Sequence, residues 1–285
     1  MKRRAALAGL VAAAAVAGPA PGGPPLAGAS GTPEPIAART ALEAPSGEEI
    51  YARVLRNRFR SFTQASRLVS ADRSGREQET RFEMHWKDFR GQDGNAAAGV
   101  LSKAVVRYTH PFDLRYAGYL VQANAGRSND QFIYSPSRRK VVRVNLRSEA
   151  VHGTDFSFED VIPRELEDAT YRRLTDTELG GIPVHVVELV PRDRSDSEYS
   201  KVEVFVDHER FIPLRSRYWD AAGVEIKELV ADPSRVREFE GVFVPMEATM
   251  RHLLFETWTR LVITDLVPNP PLGEDVFDLG RLESH

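Results

Sequence analysis

The residues most capable of chemistry lie together in the stretch HGTDFSFED, residues 152–160. Its carboxylates, Asp155, Glu159 and Asp160, could form a general acid and base pair with His152 as a partner, as in a hydrolase-like enzyme. They could also bind a hard cation, although calcium requires a denser and more regular series of ligands. No His, Lys or Ser is tied to these acids by local spacing, which argues against catalysis.

The same stretch predicts a structural turn. Gly153 would begin the turn, Thr154 or Asp155 would cap the backbone that follows, and Phe156 and Phe158 would anchor it by packing. We favour this interpretation, in which the acids position backbone, over the catalytic one.

Other chemical signals in the chain are sparse. There is no G-x-S-x-G, H-E-x-x-H, phosphate-loop or dinucleotide motif, and no cysteine, so no cofactor is expected. The histidines are scattered singly along the sequence, which predicts packing or surface roles and no metal site. They are His85, His110, His152, His185, His208, His252 and His285.

The charge pattern excludes one class of partner. The 285 residues carry 38 Lys and Arg against 41 Asp and Glu, for a formal net charge of −3. Because the two signs are nearly balanced, the chain lacks the basic stripe that nucleic acid requires. No nucleic-acid partner is expected.

Aromatic and methionine side chains supply a candidate surface for an apolar ligand. They recur on the apolar phase of several predicted strands, and flexible thioethers adapt to ligands of imprecise shape. The candidate lining of a hydrophobic cavity consists of Phe82, Met84, Trp86, Tyr108, Phe112, Phe132, Met246 and Met250.

The first residues predict export. A basic start at residues 2–4 precedes an apolar run at 5–18, and Ala27-Gly28-Ala29 offers a small-x-small cleavage site. The run would form only about 21 Å of helix, which is too short for a hydrocarbon core of about 30 Å. We therefore interpret residues 1–29 as a signal peptide and the Pro/Ala-rich residues 30–45 as a flexible linker, with the mature chain expected to be soluble.

Residues 46–285 are predicted to form a single domain that begins with a helix. Ser46 and Glu49 have the spacing of a capping box, and apolar residues recur at helical intervals over residues 46–62.

From Gly75 onward the apolar period changes to two, which predicts about ten or eleven strands. Clear examples are residues 78–88, 201–207 and 244–251, and a short helical turn is expected near residues 159–166. No helical stretch separates successive strands, so they must run antiparallel. We expect a mainly β fold: a curved antiparallel sheet forming an incomplete, half-open β-barrel, with the N-terminal helix and a short helical cover over its concave face.

Motifs in a fixed order resemble the outer-membrane lipoprotein-sorting protein family of LolA type. The resemblance covers about residues 46–283 and is carried by short segments in both halves of that range. These are residues 140–144 (KVVRV), 153–160 (GTDFSFED), 181–184 (GIPV), 187–189 (VEL), 206–207 (VD), 213–215 (PLR), Asp220, Gly241, 244–245 (VP) and 269–272 (NPPL) to Phe277.

The resemblance implies a LolA-like half-open barrel in the periplasm. Such a protein would be a non-catalytic carrier, or chaperone, that binds acyl chains of lipoproteins or lipids in a hydrophobic cavity and moves them toward the outer membrane. It would make transient membrane contact and could receive cargo from an inner-membrane transporter. An alternative is an accessory module of an inner-membrane lipid exporter. The family motif corresponds to Gly153, Thr154, Asp155, Phe156, Phe158, Glu159 and Asp160.

Overall fold

A computed structural model describes residues 44–283, apart from 92–95, 97, 163–164 and 193–196. The predicted signal peptide, residues 1–29, and all but the last two residues of the predicted linker lie outside the described residues. None of the helices in the described part of the chain is long and apolar enough to cross a membrane.

The described residues form a mainly β structure with three α-helices, α1 (Gly47–Arg56), α2 (Phe158–Val161) and α3 (Leu279–Glu283). Short 3-10 turns lie at Leu166–Asp168, Pro233–Arg235 and Glu274–Phe277. The first eight strands are β1 (Ser61–Ala71), β2 (Glu77–Asp88), β3 (Val100–His110), β4 (Gly118–Asn124), β5 (Asp130–Ser135), β6 (Lys140–Val144), β7 (Ala169–Arg173) and β8 (Thr177–Leu179). The next eight are β9 (Ile182–Pro191), β10 (Lys201–Asp207), β11 (Pro213–Trp219), β12 (Glu225–Ala231), β13 (Val236–Phe239), β14 (Val242–Pro245), β15 (Glu247–His252) and β16 (Thr257–Pro268).

Fourteen of these strands form one sheet. Its order is β6-β5-β4-β3-β2-β1-β16-β15-β12-β11-β10-β9-β7, with β8 paired to β9, while β13 and β14 form a separate hairpin. All the pairings are antiparallel, and the curved sheet does not close on itself. The predicted mainly β fold, a curved antiparallel sheet that is not closed, is confirmed.

Cross-strand register gathers most of the large apolar side chains of the sheet on one face. Phe82 of β2 pairs with Tyr108 of β3, Leu68 of β1 pairs with Leu261 of β16, and Val204 of β10 pairs with Val187 of β9. Because side chains alternate along each strand, these residues all point to the same side. We call this side the inner face.

Three segments cover the inner face. Helix α1 packs Ile50 and Val54 onto the β9 and β10 valines, and the β13–β14 hairpin contributes Val242 and Val244. The third is the segment of residues 146–161, called the cover segment below, which contains α2 and the predicted turn. On the opposite, outer face, the C-terminal residues 272–283 pack against β3 to β6.

The predicted start of the first helix is confirmed, but its predicted end is wrong. Ser46 Oγ accepts from the Glu49 N–H at 3.2 Å, and the Glu49 carboxylate accepts from the Ser46 N–H at 2.7 Å, which completes the capping box. The helix ends at Arg56, where Asn57 leaves the helical path. The Asn57 side-chain amide donates to the Phe243 carbonyl at 2.9 Å and accepts from the Phe243 N–H at 3.1 Å. Phe62, predicted to be helical, lies in β1.

The strand pattern is confirmed in kind and wrong in number, because sixteen strands are described where ten or eleven were expected. Strand β1 was missed since Gln64 and Ser66 occupy two of its inward positions and hide the apolar alternation. The strand predicted over residues 244–251 is two strands that separate at Met246, where β14 leaves its hairpin partner and β15 joins the main sheet.

Candidate functional site

Four of the predicted lining residues lie side by side on the inner face. Phe82, Met84 and Trp86 alternate along β2, and Tyr108 is the cross-strand partner of Phe82. All four are at most 4% exposed, and the Trp86 ring stacks on Phe62 at 5.5 Å. In this structure they belong to the packed core of the inner face.

Both predicted methionines join the same cluster. Met250 lies on β15 and is fully buried, and Met246, between β14 and β15, is 7% exposed. Six of the eight candidate lining residues therefore lie in one cluster on the inner face.

The other two candidates lie elsewhere. Phe112 is 89% exposed in the turn after β3. Phe132 pairs with Leu120 across β5 and β4, and both side chains point to the outer face, toward Phe277. The six-residue β5 is too short for its alternation to show which phase points inward.

The cover segment is anchored by the aromatic residues of the predicted motif. Phe156 and Phe158 are 2% and 0% exposed, and both belong to the core cluster of the inner face. The Phe158 ring meets Tyr119 of β4 edge-on at 5.2 Å. The predicted anchoring by packing is thus what the structure shows.

Asp155 fastens the middle of the cover segment to β16. Its backbone N–H donates to Thr259 Oγ1 at 2.9 Å, and its carboxylate accepts from the hydroxyls of Thr259, at 2.7 Å, and Thr257. This carboxylate therefore bonds across the cover, in place of the local cap predicted from sequence.

Glu159 and Asp160 fasten the end of the cover segment to the loop before β10. The Glu159 carboxylate accepts from the Glu198 N–H at 2.8 Å and from the Ser197 hydroxyl. Asp160 Oδ1 accepts from the Tyr199 hydroxyl at 2.7 Å, while burial raises the pKa of Tyr199 and keeps that donor protonated.

A lysine that the sequence reasoning missed completes this anchor. Lys227 Nζ lies 3.3 Å from Asp160 Oδ2 and 2.9 Å from the Tyr199 hydroxyl, with only 7% of its side chain exposed. The sequence feature that could have identified it is its position in β12: Lys227 lies two residues before the apolar Leu229, so both side chains point to the inner face. The three motif acids thus have structural partners, which does not favour the predicted hydrolase-like use of them.

A cavity of about 890 Å³ lies beside the motif. Its wall includes Thr154 and Phe156 of the cover segment, Lys227 and His252 of the sheet, and Pro111 of the turn after β3. None of the eight predicted lining residues borders this cavity, whose wall mixes charged, polar and aromatic groups. In this conformation the cavity is therefore separate from the predicted lining residues.

The burial of His152 predicts that docking of the cover segment is sensitive to pH. Its ring contacts Tyr108 edge-on at 4.7 Å, its Nε2 is buried with no hydrogen-bond partner among the described residues, and burial lowers its pKa from 6.5 to about 4. Freed from the core, this imidazole would take up a proton near pH 6.5. Its contribution to stability is therefore present above about pH 6.5 and lost as the pH falls toward 4.

We expect the free energy of unfolding to fall by about 2–3 kcal/mol more in the wild type than in His152→Asn between pH 7 and pH 4.5. Asparagine suits the test because it tolerates the positive φ of 46° at this position. Urea unfolding at the two pH values measures the difference. Equal losses in the two proteins would mean that His152 does not control docking.

The sequence comparisons point to one family. A family model described as an uncharacterized protein matches residues 101–284. No curated protein is significantly similar in sequence to this chain.

Solved structures share the fold. A DUF1329 family protein from Desulfovibrio piger has a TM-score of 0.76 at 18% identity, over 83% of this chain and 97% of its own. A domain described as an outer membrane lipoprotein-sorting protein from Vibrio parahaemolyticus has 0.73 at 20%, over 83% and 98%. A LolA superfamily protein from Nitrosomonas europaea has 0.65 at 19%, over 84% and 100%. At these identities the similarity shows a LolA-like fold and leaves function to be argued from the site.

Proposed function

We propose a function on the premise that this chain belongs to the uncharacterized protein family whose model matches residues 101–284, and that its fold is LolA-like. The chain acts as a periplasmic carrier that binds an acyl chain of a lipid or lipoprotein between its inner face and the cover segment, and carries it toward the outer membrane. The binding is non-catalytic.

The observation that supports this proposal most is how the cover is attached. The inner face is predominantly apolar, yet the cover segment makes no ladder with any described strand of that sheet. It is held by four buried apolar side chains, by side-chain hydrogen bonds and by the Lys227–Asp160 ion pair. The four apolar side chains are Val151, Phe156, Phe158 and Val161. The segment could therefore lift while every pairing of the main sheet stays intact.

The energetics of exchange are consistent with a carrier. A buried methylene is worth about 0.8 kcal/mol, so a sixteen-carbon chain left in water would cost roughly 12 kcal/mol. Exposing one phenylalanine costs about 1.5–3 kcal/mol. An acyl chain that replaces Phe156 and Phe158 on the inner face would therefore offset the roughly 3–6 kcal/mol that exposing these two rings costs.

A disulfide across the cover tests this proposal. The chain has no cysteine of its own, and the Asp155 N–H lies 2.9 Å from Thr259 Oγ1. That contact places the two Cα atoms within about 7 Å, close to the range a disulfide spans. We expect oxidised Asp155→Cys/Thr259→Cys protein to lose binding of a fluorescent fatty-acyl probe by at least tenfold and to regain it on reduction.

The matched controls are the two single-cysteine variants, in which the oxidant should change nothing. Equal probe binding by the oxidised and reduced double variant would contradict a moving cover. Failure of wild-type protein to bind the probe, together with the absence of lipid in native mass spectra, would overturn the carrier proposal itself.

Transient membrane contact has a candidate location at the mouth of the cavity. Phe112, in the turn after β3, and Leu254 and Phe255, in the turn before β16, are 89%, 58% and 65% exposed. Pro111 and Asp113 beside the first, together with Phe255, line the cavity. These apolar tips would enter a bilayer surface next to the site where the cover opens, as expected of a carrier that exchanges cargo with a membrane or an inner-membrane transporter.

Replacing both tips with serine, Phe112→Ser/Phe255→Ser, should slow transfer of the acyl probe between vesicles severalfold. Equilibrium binding of the probe in solution and the urea midpoint should stay close to wild type, because both side chains are exposed. An unchanged rate of probe transfer would show that these turns do not contact the membrane. It would not contradict the proposal that the protein binds acyl chains.

A further inference from the structure

Two histidines and an aspartate that are distant in sequence meet at one end of the sheet. Asp176 lies in the turn between β7 and β8, His185 in β9, and His208 in the turn after β10. Asp176 Oδ2 is 3.0 Å from His185 Nδ1 and 3.1 Å from His208 Nε2, and the three ligand atoms lie within 4.8 Å of one another. We propose that this cluster binds a divalent transition-metal ion.

The separations suit a tetrahedral ion. Ligands at 2.0–2.1 Å from zinc in tetrahedral geometry are about 3.3 Å apart. Both distances from Asp176 Oδ2 are within a few tenths of an ångström of that value. His185 Nδ1 and His208 Nε2, which lie within 4.8 Å of each other, would approach by up to about 1.5 Å on binding the ion.

The surroundings hold the ligands in place. The His185 side chain is 9% exposed, and its ring stacks on His208 at 3.8 Å and packs against Phe211 at 6.0 Å. Arg173 Nε donates to Asp176 Oδ1 at 3.2 Å and orients the carboxylate from its far side. The hydrogen bond from Arg173 Nη2 to Asp176 Oδ2, at 2.6 Å, must break when Oδ2 binds the ion. Arg173 would still donate to the Pro45 carbonyl through Nη1.

The donor set selects the class of metal. Two imidazoles and one carboxylate suit zinc, cobalt, nickel or copper, whereas calcium and magnesium require more oxygen ligands. His208 is 34% exposed, so solvent reaches the site, and a water molecule can take the fourth position. A bound ion would tie together β9 and two turns beside the point where residue 45 joins the domain.

Titration of tag-free protein with Zn²⁺ by calorimetry, and with Co²⁺ by visible absorption, tests the site. We expect one saturable site per chain, an intense tetrahedral Co²⁺ spectrum, and a rise in melting temperature with Zn²⁺. His208→Ala and Asp176→Asn should weaken Zn²⁺ binding at least tenfold. His208 is partly exposed, so its removal leaves the core intact.

The matched control is His110→Ala, an exposed histidine at the end of β3, which should bind Zn²⁺ like the wild type. The proposal is overturned if wild-type protein shows no saturable binding, or if His208→Ala and Asp176→Asn bind as tightly as wild type. Equal weakening by His110→Ala would also overturn it. None of these outcomes depends on acyl-chain binding.

Discussion

Replacing Phe158 with alanine is expected to lower the free energy of unfolding by about 3–5 kcal/mol, the usual cost of deleting a fully buried aromatic ring. Phe158 is 0% exposed and its ring contacts Tyr119 at 5.2 Å. If the cover segment opens to admit an acyl chain, the same change should tighten probe binding, because it removes half of the aromatic anchor that the ligand must displace. Urea unfolding and probe titration of one preparation measure both effects.

The matched control is Phe112→Ala, since Phe112 is 89% exposed and its truncation should stay within about 0.5 kcal/mol of wild type. A lower free energy of unfolding together with tighter probe binding in Phe158→Ala would support a cover segment that competes with the ligand. A loss of stability with unchanged or weaker binding would show instead that Phe158 is permanent core.

The features of the fold that could be predicted are those encoded locally. Alternation over β2 and β10 reports one buried face per strand, and the Gly-rich turns at residues 180–181 and 240–241 lie where the chain reverses. Both signals need only neighbouring residues, because the side-chain period is a property of a single strand. The antiparallel arrangement follows from these signals together with the absence of helical stretches between successive strands.

Features set by distant partners could not be predicted. Asp155 bonds Thr257 and Thr259, about a hundred residues along the chain, and only the β1–β16 and β15–β16 pairings bring those hydroxyls under the cover segment. A local cap was the natural expectation for an aspartate after a glycine turn. The structural character of the motif was predictable, while the identity of its partners was not.

The histidines show the same limit. His185 and His208 are 23 positions apart and read as isolated residues in the sequence, which is why no metal site was predicted. The register of β9 with β10, in which His185 pairs with Val206, brings the turn containing His208 over the His185 ring. Such a cluster emerges from strand pairing and leaves no motif in the sequence.

The strongest electrostatic test of the cover concerns Lys227. Its replacement by methionine keeps the length of the side chain but leaves Asp160, whose side chain is 1% exposed, without its cation at 3.3 Å. Removing one partner of a buried ion pair costs about 3–5 kcal/mol because the remaining charge is uncompensated. We expect a loss of that size in urea unfolding, with increased hydrogen exchange at the amides of the cover segment.

Adding Asp160→Asn to Lys227→Met should recover part of this loss, because the double variant buries no unpaired charge at position 160. Lys201→Met is the matched control: Lys201 pairs with Glu188 and Glu203 while 32% exposed, so its loss should cost no more than about 1 kcal/mol. If Lys227→Met costs no more than Lys201→Met, the polar anchor of the cover segment is too weak to hold it shut. The buried apolar side chains of the cover segment, Phe156 and Phe158 above all, would then be the main groups that an acyl chain has to displace.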